Sequence, residues 1–246
     1  MDTTALLVID IHAHIVPYCE RLTNDREFIN VVSNAAFAVA VVICWPIARR
    51  VKLKLHNHSH SLPNGSRPML LAIFCLPLFI AAGSALFHAS PTHMTHMLDI
   101  VPVCLFAVLA VLLFMRLNGT TGIRIVATLL CWIVATAFAA QWSEVLAHSL
   151  FYFPTVVLLF VLALPTSSGS EKSGAKPGER RLLLGVATTF ALALIFRALD
   201  LELCQLEAGA TGIDQQYGTH WLWHLLTAVT CALGLQLVYQ MTLKRI

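Results

Sequence analysis

Three features of the sequence predict an all-α membrane protein: a bundle of seven transmembrane helices with its N-terminus outside and its C-terminus in the cytoplasm. Of the 246 residues, 58% are hydrophobic and only 12% are charged, with a mean hydropathy of +0.76. Soluble globular chains carry about 25% charged residues, so this composition excludes one. The chain also contains seven apolar runs of spanning length, and its basic residues gather on alternate connections. A net charge of +3 is too small to argue for a nucleic-acid partner.

The apolar runs lie near Phe28 to Ala48, Met69 to Ala89, Met97 to Met115, Ile123 to Ala140, Ser149 to Leu164, Leu182 to Leu199, and His220 to Met241. A helix needs roughly 17 to 25 apolar residues to cross a bilayer, and the fifth run is short by that measure. Only helices and closed barrels satisfy their backbones in hydrocarbon; continuous runs without strict alternation select helices. Before the first run, Met1 to Ile15 is apolar but contains Asp10, His12 and His14 and has no basic leader. It reads as a segment lying on the membrane surface, not a signal peptide. Between the fifth and sixth runs, the Ser, Gly and Lys of Pro165 to Glu179 read as a flexible loop. The expected organisation is an outer-face segment at 1–27, a seven-helix domain at 28–241 and a short tail at 242–246.

With seven spans every Lys and Arg falls on one of two faces. Thirteen of the 16 lie on the C-terminal face; Arg21, Arg26 and Arg197 lie on the other. The positive-inside rule then puts the C-terminus in the cytoplasm and the N-terminus in a periplasm or lumen.

Ionisable residues inside spans cost about 2.5 to 3.5 kcal/mol each on insertion scales, so each needs a partner or a task. The second run ends in Gly83-Ser84-Ala85-Leu86-Phe87-His88, the third opens with Leu98-Asp99-Ile100-Val101-Pro102, and the seventh opens with His220-Trp221-Leu222-Trp223-His224. All three segments fall at the outer end of the predicted bundle. Residues four apart share a helix face, so Ser84 lies over His88 and His220 over His224. Three imidazoles and a carboxylate then converge from three helices, a donor set that suits catalytic zinc. Alone, a buried histidine more often bonds a backbone carbonyl; the common depth of these with Ser84 and Asp99 turns the balance.

These segments carry a family resemblance. Gly83-Ser84-x-Leu86-Phe87-His88-Ala89, Leu98-Asp99 with Pro102, His220-x-x-Trp223-His224-Leu225-Leu226-Thr227 and Glu27-Phe28-x-Asn30-x-x-Ser33-Asn34 together resemble the alkaline ceramidases. That family sits in a superfamily of seven-helix intramembrane proteins that also holds the adiponectin and progestin receptors. The resemblance implies zinc held by His88, His220 and His224, with Ser84 and Asp99 serving catalysis. It further implies hydrolysis of the N-acyl amide of a ceramide-like membrane lipid to a fatty acid and a long-chain base. The family's usual Asp-Glu is Asp99-Ile100 here. It also implies a calcium site before the first span, for which this chain offers Glu20, Glu27 and the Tyr18 carbonyl. Pro17 and Leu22 stand where the family has further oxygen donors, and calcium takes six to eight oxygens.

Of seven cysteines, five lie in spans, where they pack as small apolar groups. Cys19 and Cys204 fall on the outer face, where disulfides persist. The resemblance implies a bridge between them, with Asp200-x-x-x-Cys204 matching the family there. His56, His58 and His60 read as a solvated loop, and His93 and His96 as interfacial residues. Trp142, Tyr217, Trp221 and Trp223 suit an outer aromatic belt. Two other readings stay open: a receptor-like protein with structural zinc, and, less well supported by the ligand spacing, a transporter.

Overall fold

The computed structural model describes residues 18–20, 27–57, 62–142, 149–164, 176–200, 202–203 and 218–246. Among them the protein is helical, without strands. Its elements are α1 (Phe28–Ser33), α2 (Ala35–Asn57), α3 (Ser66–Ala89), α4 (His93–Leu117), α5 (Gly122–Ala140), a 3-10 turn (Ser149–Tyr152), α6 (Phe153–Ala163), α7 (Pro177–Ala198) and α8 (His220–Arg245).

Among the described residues six stretches are long and apolar enough to cross a membrane: α1 with α2, then α3, α4, α5, α7 and α8. The fifth apolar run is different, because a four-residue 3-10 turn precedes an eleven-residue helix. At about 1.5 Å per residue that helix falls well short of a hydrocarbon core of about 30 Å. Several helices outrun the predicted spans: α2 continues to Asn57 and α8 to Arg245. The predicted loop ending at Glu179 is helical from Pro177. Pro177 occupies the first turn, where no N–H is needed, and the Glu179 side chain accepts the Lys176 N–H at 3.1 Å. Residues 165–175 lie outside the described residues.

Burial runs opposite to that of a soluble protein. Phe28, Val42, Leu71, Ile123, Val134 and Phe138 are among many large apolar side chains that face outward. Water would disfavour such a surface, whereas lipid is an indifferent solvent for it. Inside, Phe37, Ile73, Ile80, Leu113, Ala187 and Leu235 form the core of the bundle. α3 packs along α4, and α8 packs between α7 and α2. α5 buries none of its residues and rests on α6 and the 3-10 turn.

Small and hydroxylated residues set the helix contacts, as expected where lipid removes the hydrophobic drive between helices. A Cβ on Gly83 would lie 2.0 Å from the Leu98 carbonyl oxygen, so only glycine lets α4 come this close to α3. Thr189 and Thr230 hydrogen-bond across α7 and α8 at 2.9 Å. α4 is capped by Thr92, whose hydroxyl accepts the Thr95 N–H at 3.1 Å. Pro46, Pro77 and Pro102 sit inside helices, as membrane helices tolerate where neighbouring groups re-satisfy the freed backbone carbonyls. One end of the bundle is basic: Lys244 pairs with Glu179 at 2.8 Å, and Arg116 donates to the Asn64 carbonyl at 3.3 Å. The polar residues of the candidate site gather at the other end.

Candidate metal centre

His88 comes from the last turns of α3, and His220 and His224 from the first turns of α8. All three are buried, and their ligand atoms lie within 4.8 Å of one another. Among the described residues this is the one group of histidine, cysteine or carboxylate side chains so arranged. Helical spacing alone puts His220 over His224; the antiparallel approach of α3 brings His88 to them.

Hydrogen bonds on the far side of two rings set their tautomers. Ser33 Oγ donates to the Asn30 carbonyl at 3.0 Å, so its lone pair receives the Nδ1–H of His224 at 2.7 Å. The Glu27 carboxylate likewise engages His88 Nδ1. Both Nε2 atoms then turn their lone pairs inward, 3.2 Å apart. Two lone pairs that close repel unless a cation sits between them. Two ligands of a tetrahedral ion with metal–nitrogen bonds of about 2.0–2.1 Å would lie about 3.3 Å apart, close to the separation seen. The donor set therefore fits a metal ion, with outer-shell partners of the usual kind.

Ser84, one turn before His88, places Oγ 3.4 Å from His224 Nε2. Asp99 is half-buried on α4, and the Gly83 contact brings its backbone to the same depth, 3.3 Å from where a Gly83 Cβ would lie. The sequence thus names residues that the fold gathers at one end: Ser84, His88, Asp99, His220 and His224.

The segment before α1 covers this centre. Tyr18, Cys19 and Glu20 are buried, and the Tyr18 ring stacks on His220 with centroids 3.7 Å apart. Asp200 fastens the segment to α8: its carboxylate accepts the N–H of Cys19 at 2.8 Å, of Thr219 at 2.7 Å and of His220 at 2.8 Å. Burial raises the Asp200 pKa, and these three backbone bonds act against that rise. Gly218, at φ +58°, lies under it; a Cβ there would come within 2.3 Å of Asp200 and 2.5 Å of Cys19. Cys19 is disulfide-bonded, whereas Cys44, Cys75, Cys104, Cys131 and Cys231 are free. Cys204, the partner that the resemblance implies, lies outside the described residues.

Glu20 and Glu27, the carboxylates expected to bind calcium, hold the protein's own N–H groups. The two Glu20 oxygens accept the N–H groups of Ile29 and Asn30 at 2.8 and 3.0 Å, satisfying the free first turn of α1. Burial raises the Glu20 pKa, and these two bonds lower it. Glu27 accepts from Asn30 Nδ2 at 3.0 Å besides engaging His88. Nothing among the described residues supports the expected calcium site beyond these two carboxylates, and positions 21–26 lie outside them.

Other expectations sort by burial. Trp142 is exposed, as an aromatic belt requires, but Trp223 is buried against Tyr152 and Phe190 beside the centre. Tyr217, His58 and His60 lie outside the described residues. His56 and His93 are exposed, and His96 packs against Phe87. Three residues at the centre were not singled out from sequence: Ser33 and Glu27 as histidine partners, and Arg197, buried among Tyr18, Tyr152 and Trp223.

Fold and site together define a helical membrane protein with a buried three-histidine centre at one end of its bundle. The sequence model of the Ceramidase family matches residues 22–245, and the chain belongs to that family. No curated protein matches the chain. The family implies ceramide hydrolysis, the work of a hydrolase acting on amides.

Proposed function

We propose that this protein is a zinc-dependent intramembrane amidase that cleaves the N-acyl bond of ceramide-like lipids, releasing a fatty acid and a long-chain base. The observation that carries the reading is the pair of inward-facing Nε2 atoms of His88 and His224, 3.2 Å apart, each ring held from behind by Glu27 or Ser33. His220 completes the donor set.

Zinc held there supplies Lewis acidity, which acidifies water and polarises a carbonyl. Asp99 takes a proton from the attacking water and returns it to the departing amine as the C–O bond forms and the C–N bond breaks. Ser84 Oγ donates a hydrogen bond to the carbonyl oxygen as negative charge develops on it. Tyr18, stacked on His220, limits the water that reaches the centre.

An apolar cavity of about 340 Å³ supports a lipid substrate. It lies between α4, α5 and α7 and is lined by Cys104, Trp132, Phe151, Tyr152 and Phe190. Tyr152 and Phe190 also pack on Trp223 of α8, so two lining residues connect the cavity to the helix that carries His220 and His224. An acyl chain laid there would bring its amide toward the histidines.

We further assign seven spans, the short α6 with its preceding turn being the fifth, with the N-terminus and the metal centre on the periplasmic or lumenal side. Thirteen of 16 basic residues on the opposite connections support that sidedness. Residues 1–27 then form the outer segment, 28–241 the hydrolase domain and 242–246 the cytoplasmic tail, and Cys19 pairs with Cys204.

Purified protein offered a labelled N-acyl lipid tests the reading. Release of labelled fatty acid is the expected result. Saturable lipid binding without turnover would instead mark a receptor-like protein with structural zinc.

A further inference from the structure

A guanidinium inside a membrane bundle is costly unless its charge is balanced and its N–H groups find acceptors. Arg197, at the last turn of α7, is 3% exposed. Its carbon lies 5.7, 5.8 and 5.1 Å from the ring centroids of Tyr18, Tyr152 and Trp223. Aromatic faces favour the cation but accept few of its N–H groups. One goes to the Tyr18 hydroxyl; Nε has no acceptor.

The cation sits amid the proposed chemistry. Tyr18, one of the rings that cage it, stacks on His220. Yet the ion pairs among the described residues join His88 to Glu27 and Lys244 to Glu179, not Arg197 to Asp99. Tyr152, one of the caging rings, also lines the apolar cavity. Arg197 therefore stands where a chain leaving the cavity meets the polar centre, with one donor, Nε–H, that the protein leaves unfilled.

Building on the amidase reading, we propose that Arg197 is the specificity-determining residue of this site: its guanidinium hydrogen-bonds an oxygen on the amine-side headgroup of the bound N-acyl lipid. The rings fix the fork, so the oxygen must come to it. A headgroup hydroxyl and a headgroup carboxylate share this chemistry; a bare alkylamine lacks it.

The test compares the wild type, Arg197→Lys and Arg197→Gln, each first shown to be monodisperse in detergent and to hold zinc. Four substrates of equal acyl length are used: an N-acyl long-chain base with both hydroxyls, its analogues lacking the primary or the secondary hydroxyl, and an N-acyl amino acid bearing a carboxylate. In the wild type, removing the oxygen that Arg197 reads should lower kcat/KM roughly tenfold or more, mainly through KM. In Arg197→Gln the parent and that analogue should become equivalent, and Arg197→Lys should regain part of the difference. Preference for the hydroxylated base identifies a neutral headgroup and preference for the amino acid an acidic one; either supports the assignment. If Arg197→Gln does not fold, the wild type and Arg197→Lys still carry the comparison. Turnover of all four substrates alike by the wild type, or undiminished discrimination in either folded variant, would overturn the role of Arg197 and leave the amidase reading standing. No amide turnover by zinc-loaded wild type would overturn both.

Discussion

Ser33 and His224, 191 positions apart in the chain, meet at 2.7 Å. The serine's own hydrogen is spent on the Asn30 carbonyl at 3.0 Å. It can therefore only accept from the imidazole, and this fixes the Nδ1–H tautomer of the ring. Ser33→Ala should fold normally but bind zinc roughly 10- to 100-fold more weakly, the usual cost of losing an outer-shell partner. Competition with a calibrated chelator reads the affinity; an unchanged value would deny Ser33 that part.

Glu27 does the same for His88 with a charged group. Glu27→Gln keeps the shape and the Asn30 contact but loses the carboxylate. Zinc affinity should fall by at least as much as in Ser33→Ala, and added calcium should not restore it. Recovery by calcium would assign Glu27 a calcium role instead.

Metal binding and proton transfer should separate at Asp99. A site of three histidines needs no fourth protein ligand, so Asp99→Asn should keep its zinc and lose roughly 100-fold or more in turnover. Loss of zinc in a folded variant would make Asp99 a ligand; full turnover would move the proton to another group.

Gly218 tests the tie between the N-terminal segment and α8. It has a positive φ, and a Cβ there would meet Asp200 and Cys19. Gly218→Ala should lower thermal stability by about 1 kcal/mol or more and loosen Cys19 from its Asp200 bond. Limited proteolysis near the N-terminus reads the second effect, and wild-type resistance to cleavage would contradict it.

The helical period made half of the centre readable from sequence. His220 with His224, and Ser84 with His88, are each four apart, and a period of 3.6 residues puts such pairs on one face whatever the rest of the fold does. Gly83 could be quoted within a motif, but its reason, the approach of Leu98, exists only once α3 and α4 are packed. Ser33 and Glu27 also lay inside a quoted motif, yet their partners are distant in the chain and no local pattern pairs them. Arg197 looked like one more flanking cation, because nothing in its neighbours foretells three rings from separate parts of the chain closing around it. The fifth run was apolar enough for a span but holds only an eleven-residue helix after a 3-10 turn, a difference of length that hydropathy does not report.

The N-terminal bridge can be read directly. Mass spectrometry of unreduced protein should find one peptide joining Cys19 to Cys204, given that Cys19 is disulfide-bonded. Detection of Cys204 as a free thiol would assign Cys19 another partner.

The central claim, that the three-histidine centre holds the zinc on which amide hydrolysis depends, is tested most directly by measuring turnover against zinc occupancy in one purified sample. Zinc is withdrawn in steps by chelator and then returned, with N-acyl lipid hydrolysis and bound zinc measured at each step. Turnover should fall in proportion to occupancy, approach zero in the zinc-free protein and return with about one zinc per chain. Hydrolysis that persists in zinc-free protein, or that stays absent in zinc-loaded protein, would contradict the account.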